Sequence, residues 1–558
     1  GDSGSGGAGG GAVRIEAGGT VTLDGLISAG GSAKGDSYRD GGGAGGGIYI
    51  TCTSLGGDTS GWIRANGGDG VVGYGSGGGG GRIAMHYTNL LGTCGVRYSC
   101  APCSIWSYAQ EQQDNSARGG RAGTLWLSDT SLLSTNMVAG VFSNVDLVIP
   151  GFTSWSVDRL RTVNERFGFA ATNFLLVTTN GLAIEGGTLT IRGNIDIASG
   201  DLLLTNGGQL HVLSGPTNGA PGAYGALVSV TGNVVVASNS WACPYSDPTN
   251  GGSVLFRALG VSVAPGGGFN AMGRGFASGK GPGSAGNIWH GPGGGHGGRG
   301  GRSSNSAQQG PAYGWTNAPI VPGSGGGHDG AGGAGGGAVW IRTPGTVVLD
   351  GTVNASGALR TQYGGGGASG GGVFITCANF QGTNASAVVR ADGSFGDVSY
   401  AGGGGGGRVA IGVGLSDGDV DTLLAGGTPA RLAVYDRRSG FAGSLSVTNG
   451  TGYENGLPGT ARFLGPYYVL TVRGDPGDWD SPAPDGYGAS AEKPDDTWVT
   501  NTVTSPADTA AGVRHACIGW NLTNVYGLVS SGPGTEAVVQ MTNDHWLTWF
   551  WTNEYELT

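Results

Sequence analysis

Charge is scarce in this chain: Asp, Glu, Lys and Arg make up 12% of the 558 residues, and their formal sum is -10. So few cations leave no basic footprint for nucleic acid or anionic lipid. Long apolar runs are missing as well. No stretch of eighteen apolar residues occurs, so no membrane-spanning helix is expected. Gly1 opens a glycine tract without the charged and apolar regions of a secretory signal, and a cleaved signal or a fragment are the two expectations. Cysteine is sparse too. Seven are too few for a disulfide scaffold, and an odd number leaves at least one unpaired within the chain.

What the chain has is glycine: 124 residues, far above the average usage of about 7%. The Gly-X-Y period and the heavy proline of collagen are absent, which excludes a triple helix. Hydrophobic residues still supply 38%, gathered in short alternating runs between the glycine tracts, which excludes a disordered linker.

Those runs repeat. The string AGGGAV at residues 8–13 recurs at 334–339, and VTLDG at 21–25 returns as VVLDG at 347–351, both displaced by 326 positions. GGGIYITC, ending at Cys52, becomes GGGVFITC, ending at Cys377, and GGGGGRIA through Ala84 becomes GGGGGRVA through Ala410. An internal duplication of about 4–87 onto 330–413 follows. Each copy alternates glycine tracts with strand pairs of period two; in Ile48-Tyr49-Ile50-Thr51-Cys52, residues 48, 50 and 52 share the face expected in the core. Between the copies, residues 182–213 read as four short strands separated by Gly-Gly, Gly-Asn, Ser-Gly and Gly-Gly turns. Short strands sustained over 400 residues favour an all-β solenoid, a right-handed parallel β-helix or a close relative, over residues 1–465.

Glycine inside regular strands costs chain entropy, about 0.5–1 kcal/mol relative to alanine, so the tracts need an offsetting gain. Tracts such as 41–47, 364–372 and 402–407 have almost no side chains, so their backbones can pack closely as extended polyglycine helices bonded between segments. Flexible surface loops are the alternative.

Glycine density falls after about residue 465, where prolines, tryptophans and acidic residues change the texture. Strand-like segments at 468–473, 497–503, 513–520, 537–542 and 547–551 predict a small antiparallel β-sandwich over 466–558. Residues 554–558 (EYELT) are similar to 467–471 (YYVLT), 87 positions earlier, as if a further copy were beginning.

Chemistry-bearing constellations are thin. Asp24 and Asp350 occupy equivalent [TV]-L-D-G turns and read as turn aspartates. Asp417, Asp419 and Asp421 have the spacing of weak calcium ligands but lack a following glutamate, and a solvated turn is the plainer reading. Asp475, Asp478, Asp480 and Asp485 form a similar acidic loop. Cys94, Cys100 and Cys103 are the one cysteine cluster and the candidates for a local disulfide; zinc there needs a fourth ligand. His290, His296 and His328 lie in glycine tracts, too far apart and too variably flanked for a metal motif, and most of them read as surface residues. Of the tryptophans crowding the terminal module, Trp549 and Trp551 read as core, whereas Trp479, Trp498 and Trp546 are candidates for an aromatic binding surface. No cofactor is called for beyond that weak calcium reading.

The strings GGSVLF at 251–256 and GGGFNAMGRGF at 266–276, with the two GGGGGR-[IV]-A motifs, resemble the glycine-rich β-helical regions of very large bacterial surface and exported proteins. RHACIGW at 514–520 and LTWFWTNEYELT at 547–558 resemble divergent internalin-type B repeats, which are Ig-like β-sandwiches. The resemblance implies a secreted or cell-surface location and carries over no catalytic residue. The expectation is a non-enzymatic extracellular structural protein, a rod or filament subunit that associates with further copies. An adhesin contacting glycans or a neighbouring cell surface is the alternative, and a β-helical polysaccharide lyase or hydrolase ranks behind both.

Overall fold

In the computed structural model, inward aliphatic residues stack one above another through successive coils. It describes residues 6–33, 41–70, 77–103, 120–138, 140–217, 220, 222–286, 288–328, 331–361, 363–438, 440–508 and 513–555. The chain divides into two compact units: Gly1–Ile375 with Phe380–Ala410 and Ala442–Ala461, and Thr376–Asn379 with Ile411–Phe441 and Arg462–Thr558. The first is a parallel β-solenoid. The second is a smaller β-unit that also contains the segment 411–441, which the sequence placed in the solenoid.

The solenoid opens with the strands Ala12–Glu16, Gly47–Thr51, Arg82–His86 and Gly123–Leu127, paired in parallel. Their register stacks Val13, Ile48, Ile83 and Leu125 in one column and Ile15, Ile50, Met85 and Leu127 in another. From the strand Ser154–Val157 onward each coil has three strands contributed to three parallel sheets. One sheet stacks Leu160, Leu182, Leu202, Val234, Val261 and Val347. A second stacks Leu176, Ile195, Val228, Phe256 and Ile341. The third stacks Phe167, Leu189, Leu210, Ala242, Phe269, Val353, Val389 and Leu445. Nearly all are fully buried, and each such side chain is worth about 1.5–3 kcal/mol of transfer free energy. Residues 182–213 hold five strands rather than four, the number that four intervening breaks separate, with Gly193-Asn194 opening the strand Gly193–Ile197.

One corner of the coil demands a left-handed backbone. Asn164, Gly186, Asn206, Asn239 and Gly266 follow successive strands of the first sheet at φ values of 57°, 71°, 53°, 60° and 78°. Asparagine and glycine tolerate that conformation, which explains the alternation of the two types. At another corner the duplicated aspartates act alike. Asp24 Oδ1 accepts the Asp58 N–H at 2.9 Å, and Asp350 Oδ1 accepts Thr383 N–H at 2.7 Å and Asn384 N–H at 2.9 Å, so each fastens its coil to the next.

The glycine tracts leave the coil at a third corner, after strands such as Gly268–Asn270, Thr352–Asn354, Val388–Arg390 and Ser444–Ser446. They are ordered. In residues 402–407, Gly402 and Gly405 donate to the carbonyls of Gly291 and Gly294, Gly403 and Gly406 to Glu454 and Leu457, and Gly404 and Gly407 to Ser394 and Ala391. Their own carbonyls accept, in order, from Gly367, Gly301, Gly450, Gly370, Gly298 and Thr460. Donors three residues apart point the same way, which is the threefold repeat of an extended polyproline-type helix. Every N–H and C=O of the tract is therefore satisfied by a neighbouring segment, as dry backbone requires. Equivalent bonds, such as Gly7 to Gly41 and Gly10 to Ala44, tie the tracts of the first copy. Residues 402–407 all keep negative φ, so glycine is there for space: a Cβ on any of them would lie 1.9–2.2 Å from a neighbouring carbonyl oxygen.

The second unit contains a sheet in which Gly488–Pro494, Thr460–Asp475, His545–Tyr555, Val513–Asn524 and Gly527–Gly532 are successive neighbours. A two-stranded sheet, Thr497–Thr502 with Glu536–Met541, shares a core with it built on Leu470, Val499, Val539, Leu547, Trp549 and Trp551. The expected antiparallel order holds except for one pair: Thr460–Asp475 runs parallel to His545–Tyr555.

Candidate functional site

Ser416 caps the helix Asp417–Leu424, the single helix among the described residues, and with Asp419 it forms a capping box. Asp419 Oδ2 accepts the Ser416 hydroxyl at 2.6 Å and its backbone N–H at 3.2 Å. The acidic run is thus a helix start rather than a turn: the spacing that resembled a calcium loop satisfies backbone donors and favours the positive end of the helix dipole. Among the described residues no three His, Cys, Asp or Glu side chains converge as a metal site. The acidic loop serves its own backbone as well: Asp478 accepts from Gly474 N–H, Asp480 from Thr504 N–H, and buried Asp485 pairs with Lys493 at 2.9 Å.

Cys94, Cys100 and Cys103 stand as separate thiols, like the other four cysteines. The Cys100 thiol points into the coil and donates to the Thr124 carbonyl at 3.6 Å; burial pushes its pKa up to about 12. Cys103 meets Asp69 instead, and Cys94 lies in the neighbourhood of Cys52 and Tyr98.

The three candidate tryptophans are dispersed by environment. Trp479 stacks on His515 with ring centroids 3.6 Å apart, Trp546 is half-buried under Arg473, and Trp498 stands exposed on the two-stranded sheet. Trp549 and Trp551 are buried in the core.

Two of the three glycine-tract histidines are buried, contrary to the surface placement expected of most of them. His296 is fully enclosed, its Nδ1 is 3.0 Å from the Gly370 carbonyl, and its Nε2 has no hydrogen-bond partner among the described residues; burial, with Arg408 nearby, holds its pKa down to about 3. A histidine fits there because a neutral ring fills the gap between tracts while donating one bond. Sequence gave no sign of this, since the residues that enclose His296 come from distant tracts.

Beside the lattice lies a cleft of about 380 Å³, lined chiefly by apolar groups including Phe276, Pro282, Tyr313, Trp315, Ile320 and Val321. Its wall is braced: the Tyr313 hydroxyl donates to Pro322 O at 2.6 Å and accepts from Ser324 Oγ at 3.0 Å. The fold defines a class, a parallel β-solenoid with a hydrogen-bonded glycine lattice grafted on one corner. Comparison with protein families, curated proteins and solved structures finds no match to this chain.

Proposed function

We propose that this protein is an extracellular structural element, a rod or filament subunit of a secreted or cell-surface assembly that associates with further copies. The observation that carries the reading is the glycine lattice. Its bonds join segments far apart in sequence, and apart from a few enclosed side chains such as His296 its interior is backbone packed on backbone, so it resists deformation as a solid block does. A part that bears load or spaces other parts needs that property.

The second unit supplies a surface for self-association. Its edge strand Gly527–Gly532 is exposed along nearly its whole length, and Val525, Tyr526, Leu528 and Val529 are all open to solvent. No lysine or proline interrupts residues 525–529, and an exposed apolar edge of that kind templates pairing with another strand. The likeness of the terminal motifs to internalin-type B repeats supports the same surface location.

Negative-stain electron microscopy of the purified chain at high concentration tests the proposal. Filaments, sheets or end-to-end rods are expected, and Leu528→Lys is expected to shorten or disperse them. Isolated particles at every concentration would overturn it and favour a monomeric adhesin or an enzyme.

A further inference from the structure

Exposed aromatic rings gather on the outer surface of the glycine lattice. Trp289 is 74% exposed and Tyr363 66%. They are connected through His290 and Tyr400: ring centroids are 6.5 Å apart from Trp289 to His290, 4.5 Å from His290 to Tyr400, and 5.2 Å from Tyr400 to Tyr363. His328 adds a further ring 5.2 Å from Trp289. Four distant stretches of sequence thus bring their rings into one run. A solenoid gains nothing in stability from holding Trp289 and Tyr363 in water.

The run is fixed from beneath. Gly291 donates to Gly364 O and accepts from Gly402, which ties the segment carrying Trp289 and His290 to the lattice. His290 Nδ1 lies 2.9 Å from Ser304 Oγ, and Ser304 N–H donates to the Tyr400 carbonyl. Asp397 accepts the Ser399 N–H at 3.0 Å, shaping the turn that presents Tyr400, and its other oxygen holds Arg360 at 3.3 Å. His328 keeps a left-handed φ of 89°, which a non-glycine residue adopts only where its surroundings impose it. Rings held this way lose little freedom when a ligand arrives, so the ordering cost of binding is already met.

We infer that this run of rings is a binding platform for a neutral polysaccharide. Flat ring faces match the C–H faces of pyranose units, and the exposed Tyr363 hydroxyl with the partly exposed Arg360 guanidinium beside it offers hydrogen bonds to sugar hydroxyls. Charge selects the class. The Arg360–Asp397 pair is balanced, so it offers no net positive charge to hold a polyanion, whereas an uncharged chain needs none. The inference is independent of the filament reading, since a monomer would carry the same platform.

Affinity electrophoresis of the full chain through gels containing cellulose ether, xylan, mannan or dextran tests it, with alginate and polygalacturonate as the anionic arm. Retardation by at least one neutral polysaccharide is expected, with quenching or shift of tryptophan fluorescence. The pair Trp289→Ala and Tyr363→Ala should weaken it tenfold or more, whereas Tyr555→Ala, an exposed aromatic residue of the other unit, should leave it unchanged. Both platform residues are exposed, and far-ultraviolet circular dichroism confirms folding of the variant. No retardation by any neutral polysaccharide, retardation by the anionic ones alone, or full retention of binding in the double variant would each overturn the assignment.

Discussion

Replacing Gly404 by alanine adds one methyl group in the middle of the lattice. The new carbon would lie 1.9 Å from the Ala368 oxygen and 2.5 Å from its carbonyl carbon, where ordinary contact begins at 3.4 Å. The obstacle is backbone, so no rotamer change relieves it, and the tracts must part by about 1.5 Å. Parting them breaks Gly404 N–H to Ser394 O at 2.9 Å and Gly450 N–H to Gly404 O at 2.8 Å. Two net hydrogen bonds at about 1 kcal/mol each, with about 1–3 kcal/mol for overpacking, give a loss of about 3–5 kcal/mol. Gly47→Ala is the matched control: nothing lies within 4 Å of its added carbon, and the smaller entropy of the unfolded chain should leave stability unchanged or raised by up to about 1 kcal/mol. Urea unfolding followed by circular dichroism reads both variants. Equal midpoints, within about 0.5 kcal/mol, would refute the claim that the tracts are packed against one another.

His296 and His211 give the fold an acid sensitivity, because burial lowers both pKa values to about 3. A base depressed on folding contributes stability that is intact above its unfolded pKa near 6.5 and is lost as pH falls toward the folded value. Stability should therefore decline between pH 6.5 and 3, and His296→Asn, which keeps a donor for Gly370, should flatten that decline even if it is less stable at pH 7. Asp350→Ala removes the acceptor for two backbone N–H groups and should cost about 1–3 kcal/mol in thermal unfolding, more than Asp24→Ala, which removes one. Thiol labelling of the native chain should reach Cys94 and Cys517 first, with the five buried cysteines reacting only after denaturation; a Cys100–Cys103 disulfide in a non-reduced peptide map would contradict the separate thiols.

Much of the architecture was legible because its period is short and its repeats are long. Alternation placed Ile48 and Ile50 on the inner face, where both are buried, and the 326-residue displacement maps strand onto strand, Ala12–Glu16 onto Val339–Arg342 and Arg82–His86 onto Arg408–Val413. Each expected terminal strand coincides with an observed one, though Thr460–Asp475 begins eight residues before the expected start and Val513–Asn524 and His545–Tyr555 each end four residues late; Gly488–Pro494, Ala507–Asp508 and Gly527–Gly532 were missed, the last because its exposed residues give no alternating apolar signal. Asp417–Leu424 was missed although Ser416-x-x-Asp419 is a helix-start signal, because acidic spacing was weighed as ligand chemistry. Neither the burial of His296 nor the gathering of Trp289, His290, Tyr363 and Tyr400 has a local signature. Both depend on which tracts become neighbours, and a string of glycines carries no side-chain information about its partners.

The central claim is that the glycine tracts are hydrogen-bonded structure rather than loops. Amide hydrogen exchange of the native chain tests it most directly. Residues 402–407 should be protected to the same degree as the solenoid strands Leu182–Glu185 and Leu202–Thr205, whose amides lie in the parallel sheet. Exchange of those six amides at the rate of an unstructured chain, while the strands stay protected, would contradict it.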